Sequence, residues 1–235
     1  MRIAVVPARG GSKRIPGKNV KNFCGKPIIA YSIQAALTSG VVDRVLVSTD
    51  DREIADVATA YGAEAPFTRP AELSDDFTPT VPVVKHAAEW AVANWGHLSA
   101  VCCIYAAAPF VRAEDIRNAH ARFAEDRVTG YVFSATSFGF PIQRAFRINR
   151  DGFCEMFQPE HYNTRSQDLD EAFQDAGQFY WGSLESFRSG KFFFAADSKP
   201  YVLPRHRVQD IDTAEDWVRA EIMWRVINQG DDAAV

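Results

Sequence analysis

Short apolar runs rich in β-branched and aromatic residues recur at Ile3 to Val6, Val45 to Thr49, Ala100 to Ala106 and Tyr131 to Thr136. Each reads as a buried strand, with helical spacing between most of them. That alternation predicts βαβ units and a largely parallel sheet. Pro27 can open a first helix at its N1 position, Ile28 to Leu37 supplies its apolar stripe, and Gly40 sits where a C-terminal cap belongs. The segments Asp51 to Tyr61 and Val83 to Trp95 each stop before a glycine, Gly62 and Gly96, as sheet-covering helices do.

The rhythm breaks after Phe138. Phe140 to Arg144, the turn-prone Asn149-Arg150-Asp151-Gly152, and Met156 to Asp170 read as hairpin and irregular structure. The insert at about 140–175 is too short for a domain, and 1–235 is expected to be a single one. Phe153, Met156, Phe157 and Tyr162 must bury apolar surface somewhere. A second subunit is a natural place, which predicts a homodimer; the alternative is that these side chains cap their own sheet. Near the C-terminus, Trp217, Trp224 and Ile227 recur at helical spacing and read as core. Gly230 to Val235 looks like a frayed tail.

The 235 residues are 47% hydrophobic and carry a net charge of −4. That balance argues against a nucleic-acid surface. No apolar run approaches the ~18 residues of a membrane span and no leader pattern is visible, so a cytoplasmic protein without membrane contact is expected. Cys24, Cys102, Cys103 and Cys154 show no C-x-x-C spacing, which disfavours structural zinc or a disulfide framework.

Against that acidic background, the loop after the first strand is locally basic. Pro7-Ala8-Arg9-Gly10-Gly11-Ser12-Lys13-Arg14-Ile15-Pro16-Gly17-Lys18-Asn19 packs glycines among Arg9, Lys13, Arg14 and Lys18. Backbone N–H groups and cations so mixed suit a polyphosphate, because glycine lets the main chain approach its oxygens. Neither a P-loop nor a dinucleotide fingerprint can be read here. A solvated basic turn would show the same residues, but open α/β sheets bind ligands at the carboxyl ends of their strands.

In Val208-Gln209-Asp210-Ile211-Asp212-Thr213, extended backbone would put Asp210 and Asp212 on one face and Ile211 on the other. Paired carboxylates of this kind suit Mg²⁺. Thr213 to Asp216 also fits a helix capping box, and both readings can hold. None of the five histidines, His86, His161 and His206 among them, lies in a nucleophile or zinc motif.

These residues resemble the CMP-sugar-acid synthetases, the cytidylyltransferases that activate sialic acid and its relatives. Pro7 to Lys13 with Lys18-Asn19 is similar to that family's first motif, and Val47-Ser48-Thr49-Asp50-Asp51 with Glu53-Ile54-Ala55 to its second. The likeness covers nearly the whole chain. Where sialic acid synthetases read Gln-Pro-Thr-Ser-Pro, this chain reads Tyr105-Ala106-Ala107-Ala108-Pro109. The runs Cys102 to Tyr105, Phe140 to Arg144, Met156 to Glu160, Thr164 to Asp168 and Asp175 to Gly182 are similar to the pseudaminic acid branch.

The resemblance implies a Rossmann-like three-layer αβα nucleotidyltransferase fold with a mostly parallel sheet and a dimerisation insert. It also implies CTP as donor, Mg²⁺ as cofactor, a nine-carbon 2-keto sugar acid as acceptor, and a homodimer. By position, Ala8, Arg9, Gly10, Gly11, Ser12, Lys13 and Lys18 match the phosphate loop, Asn19 a cytosine or ribose contact, and Thr80 a further nucleotide contact. Asp210 and Asp212 match the metal-binding aspartates and, with Arg9 and Lys18, form the implied catalytic set. Arg165 and Gln167 align near the acceptor, with Tyr105 and Gln143 as pocket substitutions. Synthetases for sialic or legionaminic acid, and a catalytically silent nucleotide-sensing homologue, remain the alternatives.

Overall fold

A computed structural model describes residues 1–125 and 128–232, the side chains of 229–232 excepted. The chain starts with β1 (Arg2–Pro7), passes through the two-residue strands β2 (Asn22–Phe23) and β3 (Lys26–Pro27), and enters helix α1 (Ile28–Thr38). Then come β4 (Arg44–Ser48), α2 (Arg52–Ala60), α3 (Thr80–Trp95), β5 (Ala100–Ile104), α4 (Ala113–Glu125) and β6 (Tyr131–Ser137). A hairpin of β7 (Phe146–Ile148) and β8 (Cys154–Met156) precedes β9 (Phe173–Gly182), α5 (Leu184–Arg188), β10 (Lys199–Val202) and α6 (Ala214–Asp232).

Six strands form one sheet in the order β10-β6-β9-β5-β1-β4. β4, β1 and β5 run parallel, as do β6 and β10, and β9 lies antiparallel between the two groups. The expectation of a mostly parallel, helix-covered sheet holds. The four runs expected as strands are β1, β4, β5 and β6, whose residues are buried on both faces as parallel strands require. On one face Ala4, Val6 and Trp181 pack with α1, α2 and α4; on the other Ile3, Val5 and Tyr180 pack with α3 and α5.

A third apolar cluster ties α6 to the outside of α1, with the Phe23 ring 5.5–5.9 Å from Tyr31, Trp217 and Trp224. Of the two tryptophans read as core, Trp217 is buried and Trp224 packs against the cluster while partly exposed. Edge-to-face contacts of this kind add about 0.5–1.5 kcal/mol each to simple burial.

Several boundaries differ from expectation. Pro27 is the N-cap of α1 and not its first residue: its ψ of 137° is extended and it pairs with Asn22 in β3. α3 begins at Thr80, three residues before Val83. Gly40 and Gly62 follow the C-caps of α1 and α2 at φ 73° and 93°, and Gly96 caps α3 at φ 88°. Asn149 to Gly152 turns the β7–β8 hairpin. Of the frayed tail expected at Gly230 to Val235, residues 230–232 continue α6 and the rest lies outside the described residues.

β9 carries the irregularity that shapes the site. Its pairing with β6 shifts between Phe133 and Ala135, and the amides of Gln178 and Phe179 both donate to Ser134 Oγ at 3.1 Å. A bulge of this kind bends a strand and re-aims its neighbours. Here Gly177, at φ 60°, turns the strand beside Tyr105.

Candidate active site

The carboxyl ends of β1 and β5 open on a cavity of about 460 Å³. After Pro7 the chain leaves the sheet, with Ala8 N–H still donating to the Ser48 carbonyl at 2.9 Å. Arg9, Ser12, Lys13, Arg14, Lys18 and Asn19 then line one wall; Gln209, Asp210 and Asp212 line another; Tyr105, Ala106 and Gly177 close the base. The basic loop and the acidic pair, 193 residues apart, meet directly: Lys18 Nζ donates to the Ile211 carbonyl at 2.6 Å and stands 3.5 Å from Asp212 Oδ1. Arg14 reaches Asp212 Oδ2 at 2.9 Å.

The alternation expected over Val208 to Thr213 is present. Asp210 and Asp212 face the cavity while Ile211 is buried in the cluster beneath α6. The capping box is present as well: Thr213 N–H donates to Asp216 Oδ2 at 2.8 Å and Asp216 N–H to Thr213 Oγ1 at 3.2 Å. The helix start therefore fixes the backbone immediately after the acidic pair. Asp210 is held above the ordinary carboxylate value, first because protein displaces water around it and then because Asp212 adds a like charge. Such a pair favours a cation.

On the opposite wall, Arg9 Nη1 donates to Asp76 Oδ1 at 2.5 Å and to the Asp75 carbonyl at 3.0 Å, and Lys13 Nζ also bonds Asp76. Hydrogen bonds from Lys13 and Arg9 hold the Asp76 carboxyl below its usual value. Two cations of the loop thus grip one carboxylate, and two more grip Asp212. Asn19 is buried, its Nδ2 donating to the Arg9 carbonyl at 2.9 Å. Gly10 and Gly11 are absent from the cavity wall. Gly10 N–H donates to Asp50 Oδ1 at 3.0 Å, and a Cβ there would lie 2.6 Å from Asp51 Oδ2, against the N-cap of α2. Gly10 is glycine for packing; Ala8 is buried beside it.

A second hollow of about 290 Å³ shares Pro7, Arg9, Asp76 and Tyr105 with the first and extends to Arg69, Thr78 and Thr80. Thr80 Oγ1 lies 3.0 Å from the Tyr105 hydroxyl. Burial pushes the Tyr105 phenol up to about 12, so its hydroxyl stays protonated and able to donate. Tyr180 packs against Tyr105 and donates to Asp175 Oδ2 at 2.5 Å.

Of the four residues assigned to the sugar acid, Tyr105 lines the cavity. Gln143, Arg165 and Gln167 lie on the insert, away from it: Gln143 Nε2 donates to the Asp170 carbonyl at 3.0 Å, Arg165 pairs with Asp168 at 2.7 Å, and Gln167 borders a hollow between Phe140 and Leu169. Sequence reading missed Asp76 and Arg69. Arg69 is buried, with Nη2 3.4 Å from Asp50 Oδ1 and Nε without a partner among the described residues. Nothing in spacing points to either, though the acidic Asp75-Asp76 pair offers a partner for a basic loop.

A phosphate-sized basic loop and a paired carboxylate at the carboxyl edge of such a sheet define a nucleotidyl-transfer class of site. The family model described as cytidylyltransferase matches residues 3–176. The pseudaminic acid cytidylyltransferase of Campylobacter jejuni is 45% identical, over 95% of this chain and 96% of its own length. The CMP-N,N'-diacetyllegionaminic acid synthase of Legionella pneumophila is 33% identical over 94% and 95%. A solved CMP:2-keto-3-deoxy-manno-octonic acid synthetase complexed with CTP superposes with a TM-score of 0.70 at 16% identity, covering 95% of this chain and 98% of its own. The chain belongs to the cytidylyltransferase family.

Proposed function

We propose that the chain transfers CMP from CTP to the anomeric hydroxyl of pseudaminic acid, releasing pyrophosphate, and does so as one catalytic domain in the cytoplasm. The observation that carries this reading is the meeting of Lys18 with Ile211 and Asp212, which joins a triphosphate-sized cationic wall to an acidic pair. Similarity to the Campylobacter jejuni enzyme supports pseudaminic acid as the acceptor.

The phosphates take over cations that now hold carboxylates. Arg9 and Lys13 exchange Asp76 for phosphate oxygens, and Arg14 and Lys18 stand beside the leaving pyrophosphate. The nucleoside occupies the smaller hollow, where Thr80 and Arg69 offer hydroxyl and N–H groups. The anomeric oxygen forms its bond to the α-phosphorus as the bond to the α,β-bridging oxygen breaks. Alignment and neutralisation of developing charge supply the rate. Tyr105 borders both hollows, where it would separate nucleoside from acceptor.

Asp210 and Asp212 would hold Mg²⁺. They are two hard oxygen donors with an unfavourable like-charge contact, and no cluster of three metal-ligating side chains occurs among the described residues. That sparse set suits an ion that keeps water and phosphate oxygens in its shell. Bound there, Mg²⁺ would withdraw charge from the reacting phosphate.

A homodimer through the insert completes the proposal. Phe140, Ile148, Phe153 and Tyr162 are 71–87% exposed, too much apolar surface for one insert to leave in water. The same insert carries Gln143, Arg165 and Gln167, so a second copy is also the means by which these residues reach a sugar acid. The test is pyrophosphate release from CTP with a panel of nine-carbon acids, with and without Mg²⁺. Acid-dependent, Mg²⁺-dependent release that is greatest with pseudaminic acid is expected. Release indifferent to the acid, or none, would sink the reading.

A further inference from the structure

Between α1, the start of α4 and α6 lies a separate hollow of about 610 Å³. Its size is that of small-molecule sites. Phe110, Tyr31 and Trp224 give it aromatic walls, and Lys26, Arg112 and Arg207 are its charged residues; no aspartate or glutamate lines it among the described residues. Its lining is half polar, and its charge is of one sign in a chain whose net charge is −4.

The three cations differ in what already holds them. Arg207 is committed: its guanidinium makes a buried pair with Asp115, Nη1 to Oδ2 at 2.6 Å and Nη2 to Oδ1 at 3.3 Å. Among the described residues Arg112 has only a loose contact with Glu114 at 3.6 Å, both side chains being about half exposed. Lys26 has no carboxylate partner among the described residues. Its ammonium is bonded to the Gln34 side-chain amide and sits 4.1 Å from the centre of the Tyr31 ring. Loss of water by burial lowers its pKa from the ordinary lysine value, so this ammonium gains from an added anion.

We infer that this hollow is a second ligand site, built for a small phosphate monoester with a planar apolar body. The phosphate lies between Lys26 and Arg112, and the ring rests against the wall that Trp224 forms with Phe110, their centroids 6.1 Å apart. A dianion matches Lys26, which has no carboxylate partner among the described residues, and Arg112, whose contact with Glu114 at 3.6 Å is loose and exposed, and a guanidinium offers it a fork of donors. The site adjoins the catalytic one through shared chain: Ala106 and Ala107 line the first cavity while Pro109 to Ala113 line the second. The Arg207 carbonyl, three residues before Asp210, accepts from Gln178 Nε2 at 2.7 Å.

Phenyl phosphate is the probe, titrated calorimetrically against the full chain, with benzyl alcohol as its uncharged counterpart. One phenyl phosphate should bind per chain, and Lys26→Met should weaken it at least tenfold. Arg112→Met, at an exposed position that leaves folding intact, should weaken it several-fold, and Lys18→Met in the catalytic cavity should leave it unchanged. The inference is overturned by absence of binding at millimolar probe, by equal affinity for benzyl alcohol, by indifference to both Lys26→Met and Arg112→Met, or by loss of binding in Lys18→Met.

Discussion

The catalytic cavity is governed by which carboxylate each cation holds. Asp212 accepts both Arg14 and Lys18 and is half of the acidic pair. Asp212→Ala should therefore lower turnover by about two to three orders of magnitude, the range for removing one preorganised charge-stabilising group, while circular dichroism stays that of the folded chain. Retained activity at normal Mg²⁺ would refute the assignment. Under the proposed function Asp76 has the opposite role, because it occupies Arg9 and Lys13 where phosphate would bind. Exposed ion pairs of this kind are weak, so Asp76→Asn should tighten CTP binding by about two- to fivefold in a direct titration. A tenfold loss would mean that Asp76 helps to hold the nucleotide. The loop and Asp210-Asp212 were legible because their chemistry is concentrated within a few residues. Asp76 and Arg69 were not, since Asp76 reaches Arg9 across 67 positions and only the folded chain brings them together.

At the scale of elements, the parallel strands announce themselves because burial on both faces demands unbroken apolar runs. β9 and β10 do not. β9 is interrupted by Asp175, Gly177 and Gln178 where its bulge forms, and β10 contains Pro200, tolerated because that strand lies at the sheet edge. α4 was likewise missed, its amphipathic face packing His120 on Trp181 with ring centroids 4.8 Å apart. Burial depresses the His120 pKa from the ordinary 6.5. Below about pH 6.5 the unfolded chain then binds the proton more readily than the folded one, so stability should fall with acidification through the window between the two values and be flat above it. His120→Gln should remove that slope from urea melts taken between pH 5 and 7. An unchanged slope would place its origin elsewhere.

For the whole molecule, the fold class followed from the order of elements, whereas assembly depends on surfaces that a single chain leaves exposed. If the proposed homodimer forms through the hairpin, Ile148→Asp with Phe153→Asp should convert it to monomer in sedimentation and lower turnover with the sugar acid, while CTP binding persists. Dimers surviving the double substitution would move the interface off the hairpin. The insert's apolar residues are visible in the sequence, and the fold leaves Phe153, Phe157 and Tyr162 exposed, but the separation of Gln143, Arg165 and Gln167 from the cavity could be seen only in three dimensions.

The bond from Lys18 to the Ile211 carbonyl joins the beginning of the chain to its end. A polypeptide emerging from the ribosome makes β1 and its cationic loop long before Gln209 to Asp212. Until those residues have emerged and the cap of α6 has seated, the cavity has one wall only, and a stop before residue 208 would leave it without the acidic pair.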